Sequence, residues 1–256
     1  PELLNKQAIN KRMSMELFLP YALETTIERR GYSGLIRAMP KGVVLHVGAG
    51  NVFLGILDSL VIGFLTKNVN IVKLSSSGSN FINIFMDALK EADEEGILTK
   101  SAAIISWKGG SQGLEEAALK NVNAVFVWGG YDAVQSYRKI APIDVRVEGF
   151  GPKTSVGVVF ESCVLNEGMD AVAQRAATDA SLWDQAACSS LHTLYFIAPA
   201  KKHKALAADF LKAAKIHFTQ LAKDLPPGKL SPDEMVEINK ARQLARVDAA
   251  LGTAAY

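Results

Sequence analysis

A chain of 256 residues, 49% of them hydrophobic, buries roughly three quarters of its unfolded surface, so a substantial core is expected, in one large domain or two moderate ones. Its 28 Lys and Arg against 26 Asp and Glu leave a formal charge of +2, which gives no electrostatic case for a nucleic-acid partner. Two cysteines are too few for a disulfide framework and fit a reducing, cytoplasmic setting, while the longest apolar run, residues 52–65, is broken by Asp58 and falls short of the ~18 residues a membrane span needs.

The opening PELLNKQAINKR has no apolar stretch of the kind a secretory signal carries. Mixed polar and apolar spacing over 5–31 predicts mostly helix, with a break or second start at Pro20. From there strands and helices alternate. Apolar runs predict strands at 42–47, 70–74, 102–107, 124–128 and 144–147. Helices are expected at 54–65, 80–95, 114–120 and 132–140. After GFGPK at 149–153 come a strand at 155–160, a helix at 169–182, a strand at 191–198 and a helix at 203–223. The basic run Lys201-Lys202-His203-Lys204 reads as the solvated start of that helix. A Pro-Pro-Gly break at 226–228 precedes a last helix, 232–249, with Ser231 as its N-cap.

Short connections between alternating strands and helices predict an α/β fold, a parallel sheet covered on both faces. A boundary near Gly149 divides the chain into 1–149 and 150–256. Ligands of such sheets bind beyond the carboxyl ends of the strands. The loops there read GAGN, KLSSSGS, WKGGSQG and WGGYD. Glycines let backbone amides approach a ligand, and a helix start behind such a loop favours phosphate. These loops point to a nucleotide site, against the alternative of plain turn chemistry.

Cys188 lies in SLWDQAACSS, a junction of small and polar residues between a helix and a strand. A reachable thiolate there is a strong nucleophile and a good leaving group, suited to acyl transfer. The alternative is a small core hydrophobe. Cys163 has no such context and reads as structural. His192 is on the following strand, and the separation from Cys188 along it, roughly 13 Å, argues against a Cys-His pair. His46 reads as a structural or pocket-lining residue. No spacing of His, Cys and carboxylates suggests a metal.

Taken in order, PKGVVLHVGAGNVF, IVKLSS, VWGG, GFGPKTS and WDQAACSS resemble the aldehyde dehydrogenase superfamily, and within it the long-chain acyl-CoA reductase (LuxC-type) family, which makes fatty aldehyde for bacterial luciferase. The resemblance covers about residues 38–250. It implies a Rossmann-type, NADP-binding domain over 1–149 and part of an α/β catalytic domain over 150–256. Cys188 falls at the position of the catalytic nucleophile. Asn51 falls at that of an oxyanion-hole amide, with the Cys188 backbone N–H as second donor. Lys73 falls where relatives contact the adenosine ribose. Ser76 stands where many NAD-preferring relatives carry a Glu, so Ser75, Ser76 and Ser77 leave a 2′-phosphate unopposed and NADPH is expected. Gly129 and Gly130 would lie beneath the pyrophosphate.

One departure matters. Hydrolytic aldehyde dehydrogenases carry a general-base Glu in an E-L-G-G-K motif. Aligned on Lys153, that position is Gly149, and Glu148 is one residue off. On a strand such an offset turns the side chain to the other face, so either a bend brings Glu148 in or the usual place holds no base. The implied activity is reduction of a fatty acyl-CoA or acyl-carrier thioester to aldehyde with NADPH through a Cys188 acyl-enzyme. An acyl-transferring partner enzyme and a homo-oligomer of the full-length protein are further expectations. Relatives are longer at both ends, so a chain without initiator Met that stops at LGTAAY is expected to be a fragment. Alternatives are an NAD(P)-dependent aldehyde dehydrogenase forming acids, a dinucleotide-binding module without turnover, and a Cys-His thioesterase.

Overall fold

A computed structural model of the chain describes residues 5–17, 19, 21–28, 31–48, 53–74, 80–185, 187–199, 201–226, 228, 230 and 232–252. The chain forms two compact units, Pro1–Lys153 and Thr154–Tyr256.

The first unit begins with helix α1 (Lys6–Leu17), then strands β1 (Ile27–Glu28) and β2 (Leu35–Ile36), which pair antiparallel. The helix expected over 5–31 therefore ends early. Pro20 lacks the amide proton a continuing helix needs, and β-branched Thr25, Thr26 and Ile27 favour extended backbone. The sheet follows: β3 (Val43–Val47), α2 (Phe53–Leu65), β4 (Val69–Leu74), α3 (Phe81–Ala92), α4 (Ile97–Lys100), β5 (Ala102–Ser106), α5 (Gln112–Leu119), β6 (Ala124–Trp128), α6 (Tyr131–Ile140) and β7 (Arg146–Phe150). All five longer strands are parallel, in the order β5-β4-β3-β6-β7. The chain reverses its direction of travel across the sheet between β3 and β6, the switch point at which such sheets open a crevice for ligands.

Register sorts the side chains. Leu45, Val47, Ile71, Val125 and Val127 share one face, where they pack with Leu119 of α5 and with Val134 and Tyr137 of α6. The opposite face carries Val72, which packs with Ile56 and Leu60 of α2 and Ile82 and Met86 of α3. Burial on both sides is why these strands read as continuous β-branched runs. One polar group interrupts that second face. His46, fully buried, contacts Ser59 through Nδ1 at 2.7 Å and Asn70 through Nε2 at 3.0 Å.

The second unit contains β8 (Ser155–Phe160), α7 (Glu161–Glu167), α8 (Met169–Ser181), a 3-10 turn at Leu182–Gln185, β9 (Leu191–Ile197), α9 (His203–Asp224) and α10 (Pro232–Ala250). Strands β8 and β9 are parallel, with Ser155 opposite Leu191 and Val156 opposite Thr193. His192 is thus an extra residue, a bulge at the start of β9. One face of the pair packs on α8 and α9 around Val159, Val172, Ala173, Phe210 and Ala214. The other face leaves Val156, Val158, Phe160, Tyr195 and Ile197 about half exposed. Helix α10 buries none of its residues, and Ser231, its expected N-cap, lies outside the described residues. No helix among the described residues is long and apolar enough to cross a membrane.

Candidate active site

Cys188 is exposed. That removes the core-hydrophobe reading and leaves the thiol open to reagent or substrate. The loop that presents it is tied at several points. Ser155 Oγ donates to the Cys188 carbonyl at 2.7 Å. The Ser190 N–H donates to the Ala187 carbonyl at 3.0 Å, and both Ala187 and Ser190 are buried. Just upstream, Trp183, Asp184 and Gln185 have φ values of 62°, 51° and 59°, left-handed backbone that non-glycine residues adopt at a cost. The Asp184 carboxylate accepts the Gly228 N–H at 3.2 Å and holds that turn to the segment between α9 and α10. The turn ends the approach from α8 abruptly and sets Cys188 on a short, braced loop. His192 is exposed on β9. Cys163 is half-buried in α7.

In the first unit, Lys73 is the penultimate residue of β4 and is 5% exposed. Its Nζ is 5.8 Å from the centre of the Trp107 ring, within cation–π range. Burial lowers the proton affinity of this ammonium, and the charge of Glu115 partly offsets the effect. Gly129 and Gly130 follow β6, and Gly130 caps α6 with extended backbone. Nothing stands within 4 Å of where a Gly130 side chain would project, so the amide groups at the start of α6 are approachable. Asn51, Ser75, Ser76 and Ser77 lie outside the described residues.

Glu148 is on β7 opposite Phe126, and its carboxylate accepts a hydrogen bond from Arg146 Nε at 2.6 Å. Its neighbour Gly149 turns to the other face. A Cβ there would press on Val134 of α6, at 3.2 Å from Cγ2 and closer still to Cγ1. Helix α6 thus fills the space into which a carboxylate at position 149 would project. Phe150, the last residue of β7, stacks on Trp128 with ring centres 4.2 Å apart.

Several features had little signal in the sequence. The left-handed turn contains no glycine. Ser155 is one of many serines. Glu115, 3% exposed, stands beside the half-buried Glu116 in QGLEEAAL, and only packing separates them. Among the described residues, no group of His, Cys and carboxylates is arranged to hold a metal ion.

The architecture is that of the aldehyde dehydrogenases. A betaine aldehyde dehydrogenase from Staphylococcus aureus, solved in complex with NAD+, matches with a TM-score of 0.64 at 15% identity over 88% of this chain and 44% of that one. An aldehyde dehydrogenase from Bartonella henselae matches with a TM-score of 0.60 at 14% identity over 82% of this chain and 41% of that one. At such identities the likeness is one of fold. Sequence narrows the class: the chain belongs to the acyl-CoA reductase (LuxC) family, which it matches over residues 2–255. The long-chain acyl-protein thioester reductase of Aliivibrio fischeri is 30% identical over 200 residues, 78% of this chain and 40% of that protein. That of Photorhabdus luminescens is 34% identical over 165 residues, 63% of this chain and 33% of that protein. The chain thus spans between a third and two fifths of the length of these relatives.

Proposed function

We propose that this chain carries the nucleophile and the cofactor-binding unit of a reductase that converts a long-chain fatty acyl thioester to fatty aldehyde. The observation that carries the reading is the exposed Cys188 on its braced loop, within a chain of the acyl-CoA reductase (LuxC) family.

The Cys188 thiolate attacks the thioester carbonyl carbon. A new C–S bond forms, and the carbonyl π electrons move onto oxygen. By the family resemblance, Asn51 and the Cys188 N–H would donate hydrogen bonds to that oxyanion, a contribution typically worth roughly 100- to 1,000-fold in rate per donor. Collapse of the tetrahedral adduct breaks the bond to the carrier sulfur, which leaves and takes up the proton Cys188 surrendered. The product is an acyl-Cys188 thioester. A nicotinamide dinucleotide, when bound, supplies the hydride that takes this thioester to the aldehyde level and frees the thiol. The residues present fit such a group. Gly130 leaves the start of α6 open to a pyrophosphate, and Gly129 would lie beneath it. The indole N–H groups of Trp107 and Trp128, near the carboxyl ends of β5 and β6, are buried without a hydrogen-bond partner among the described residues. Lys73 would meet the adenosine ribose, and Ser75 and Ser76, with no carboxylate in their run, favour NADPH.

The acyl-enzyme must outlast its encounter with water. Val134 blocks the general-base position at residue 149, and Glu148 is engaged by Arg146. Both features favour reduction over the acid-forming reaction of a hydrolytic aldehyde dehydrogenase, and if Glu148 acts in catalysis it must first leave Arg146. The donor is acyl-CoA or an acyl group on a carrier or transferring enzyme, in keeping with the acyl-protein substrates named for the relatives. A cytoplasmic homo-oligomer supplying aldehyde for light emission is the corresponding cellular reading.

The test is a single turnover with tetradecanoyl-CoA and NADPH, with the acyl adduct mapped by mass spectrometry and aldehyde and free acid measured separately. Wild-type protein should carry the acyl group on Cys188, and Cys188→Ala should carry none. An adduct that persists elsewhere in Cys188→Ala refutes the assignment. Acid without NADPH loss turns the function to hydrolysis. An adduct without aldehyde gives this segment acylation and leaves turnover to the longer protein.

A further inference from the structure

Glu115 is a buried carboxylate with no part in the chemistry above. Burying a charge is costly unless something compensates it. Here two things do. Its Oε1 accepts the Gly110 N–H at 3.0 Å, and it stands in the first turn of α5, where the helix dipole favours negative charge. Gly110 has a φ of +80°, a left-handed conformation that suits glycine and turns its N–H toward the carboxylate. The loop after β5 is therefore folded back onto Glu115.

The second buried charge in this region is Lys73. It pairs in register with Ile105 of β5 and Val47 of β3, so it shares the sheet face covered by α5. Its ammonium is set against the Trp107 ring on the same loop that Glu115 anchors. Carboxylate, glycine amide, indole ring and ammonium thus come together at the carboxyl ends of β4 and β5, the end at which ligands of this fold bind. Glu115, from α5, is the charged group acting on Lys73, and Tyr137 of α6 faces Glu115 in turn.

We propose that Glu115 is a positioning residue for cofactor binding: anchored on Gly110, it fixes the Lys73 ammonium across Trp107 so that Lys73 meets the ribose, or its 2′-phosphate, as a cation. The inference rests on reading Pro1–Lys153 as the cofactor unit. Without the Glu115 charge, burial acts on Lys73 unopposed and the ammonium loses its proton at lower pH. A group that only stabilised the fold would have no such effect on binding.

The experiment is calorimetric titration of the 256-residue chain with NADP+ and with NAD+ across the alkaline range, for wild type and Glu115→Gln. NADP+ affinity should fall as Lys73 deprotonates. In Glu115→Gln that fall should begin at lower pH, and a midpoint moved by about one unit makes NADP+ binding about tenfold weaker at pH values well above both midpoints. NAD+, which lacks the 2′-phosphate, should change less. Glu115→Asp keeps a charge but withdraws it by one methylene. It should give a smaller shift in the same direction, and it carries the test if Glu115→Gln does not fold. Superimposable pH profiles in wild type and variants, with binding intact, overturn the role of Glu115 alone. Absence of binding of either dinucleotide to wild type overturns the cofactor reading and the inference with it.

Discussion

Replacing Gly63 by Ala sets two effects of known sign against each other. Gly63 is in the last turn of α2, where alanine is favoured over glycine by at most about 1 kcal/mol. The structure opposes that gain. A Cβ at 63 would collide with the Asn70 side-chain oxygen, approach its Cγ to 2.9 Å and reach 3.2 Å from His46 Nε2. Asn70 cannot give way freely, because its Nδ2 donates to the Asn68 carbonyl at 2.8 Å. That bond assigns Asn70 Oδ1 as acceptor toward His46 Nε2, which must carry the proton. His46 Nδ1 then accepts from Ser59 Oγ. Both His46 and Asn70 are 0% exposed, so displacing Oδ1 leaves a donor and an acceptor without water, at about 1–3 kcal/mol each. Subtracting the helix gain gives a net loss of about 3 kcal/mol. Urea denaturation followed by circular dichroism, with the m-value monitored, measures it. The same substitution in an Asn70→Ala background, where the collision is gone, should be neutral or favourable. A Gly63→Ala protein as stable as wild type, or an additive double mutant, would refute the packing argument.

Other predictions concern His46 and Ser155. Burial, opposed by the bond to Asn70, lowers the His46 pKa to about 4 from its ordinary 6.5. The unfolded chain takes up this proton first, so stability is full above about pH 6.5 and declines as pH falls toward about 4, by about 3 kcal/mol in total. Stepped-pH urea titrations of wild type and His46→Gln should differ by that slope, and parallel curves would exclude the histidine as its source. Ser155→Ala frees the Cys188 carbonyl. Acylation by tetradecanoyl-CoA should slow by about tenfold, the scale of a small misplacement of a reacting group, with the unfolding midpoint nearly unchanged. Ser155→Thr, which keeps the hydroxyl, should restore most of the rate, and equal rates in all three proteins would remove Ser155 from the positioning of Cys188.

What could be read from sequence follows from how local each determinant is. The runs VVLHV, NIVKL and AVFVW are β-branched and bounded by turn residues, so strand and parallel sheet both followed from local pattern. Cys188 stood out because small polar neighbours do not make a core, and its exposure agrees. Over 5–31, read as mostly helix with a break or second start at Pro20, helix α1 ends at Leu17, and β1 stands in place of further helix because the β-branched run at 25–27 favours extended backbone. The left-handed backbone at Trp183 could not be foreseen, since nothing local favours that conformation for an indole side chain. Glu115 was hidden for a different reason. Its burial depends on where α5 lands on the sheet, a long-range fact with no local trace.

The His46–Ser59–Asn70 group, with Gly63 against it, has a consequence for how this family can vary. A polar cluster whose every bond is made resists piecemeal change, because each single substitution strands a buried atom, whereas exchange of the whole set for apolar residues can be neutral. These positions should therefore drift as one heritable character. A library randomised at residue 63 alone should return glycine, while one randomised at 46, 59, 63 and 70 together should return two separate solutions, the polar set and a hydrocarbon one, with few viable sequences on the path between them.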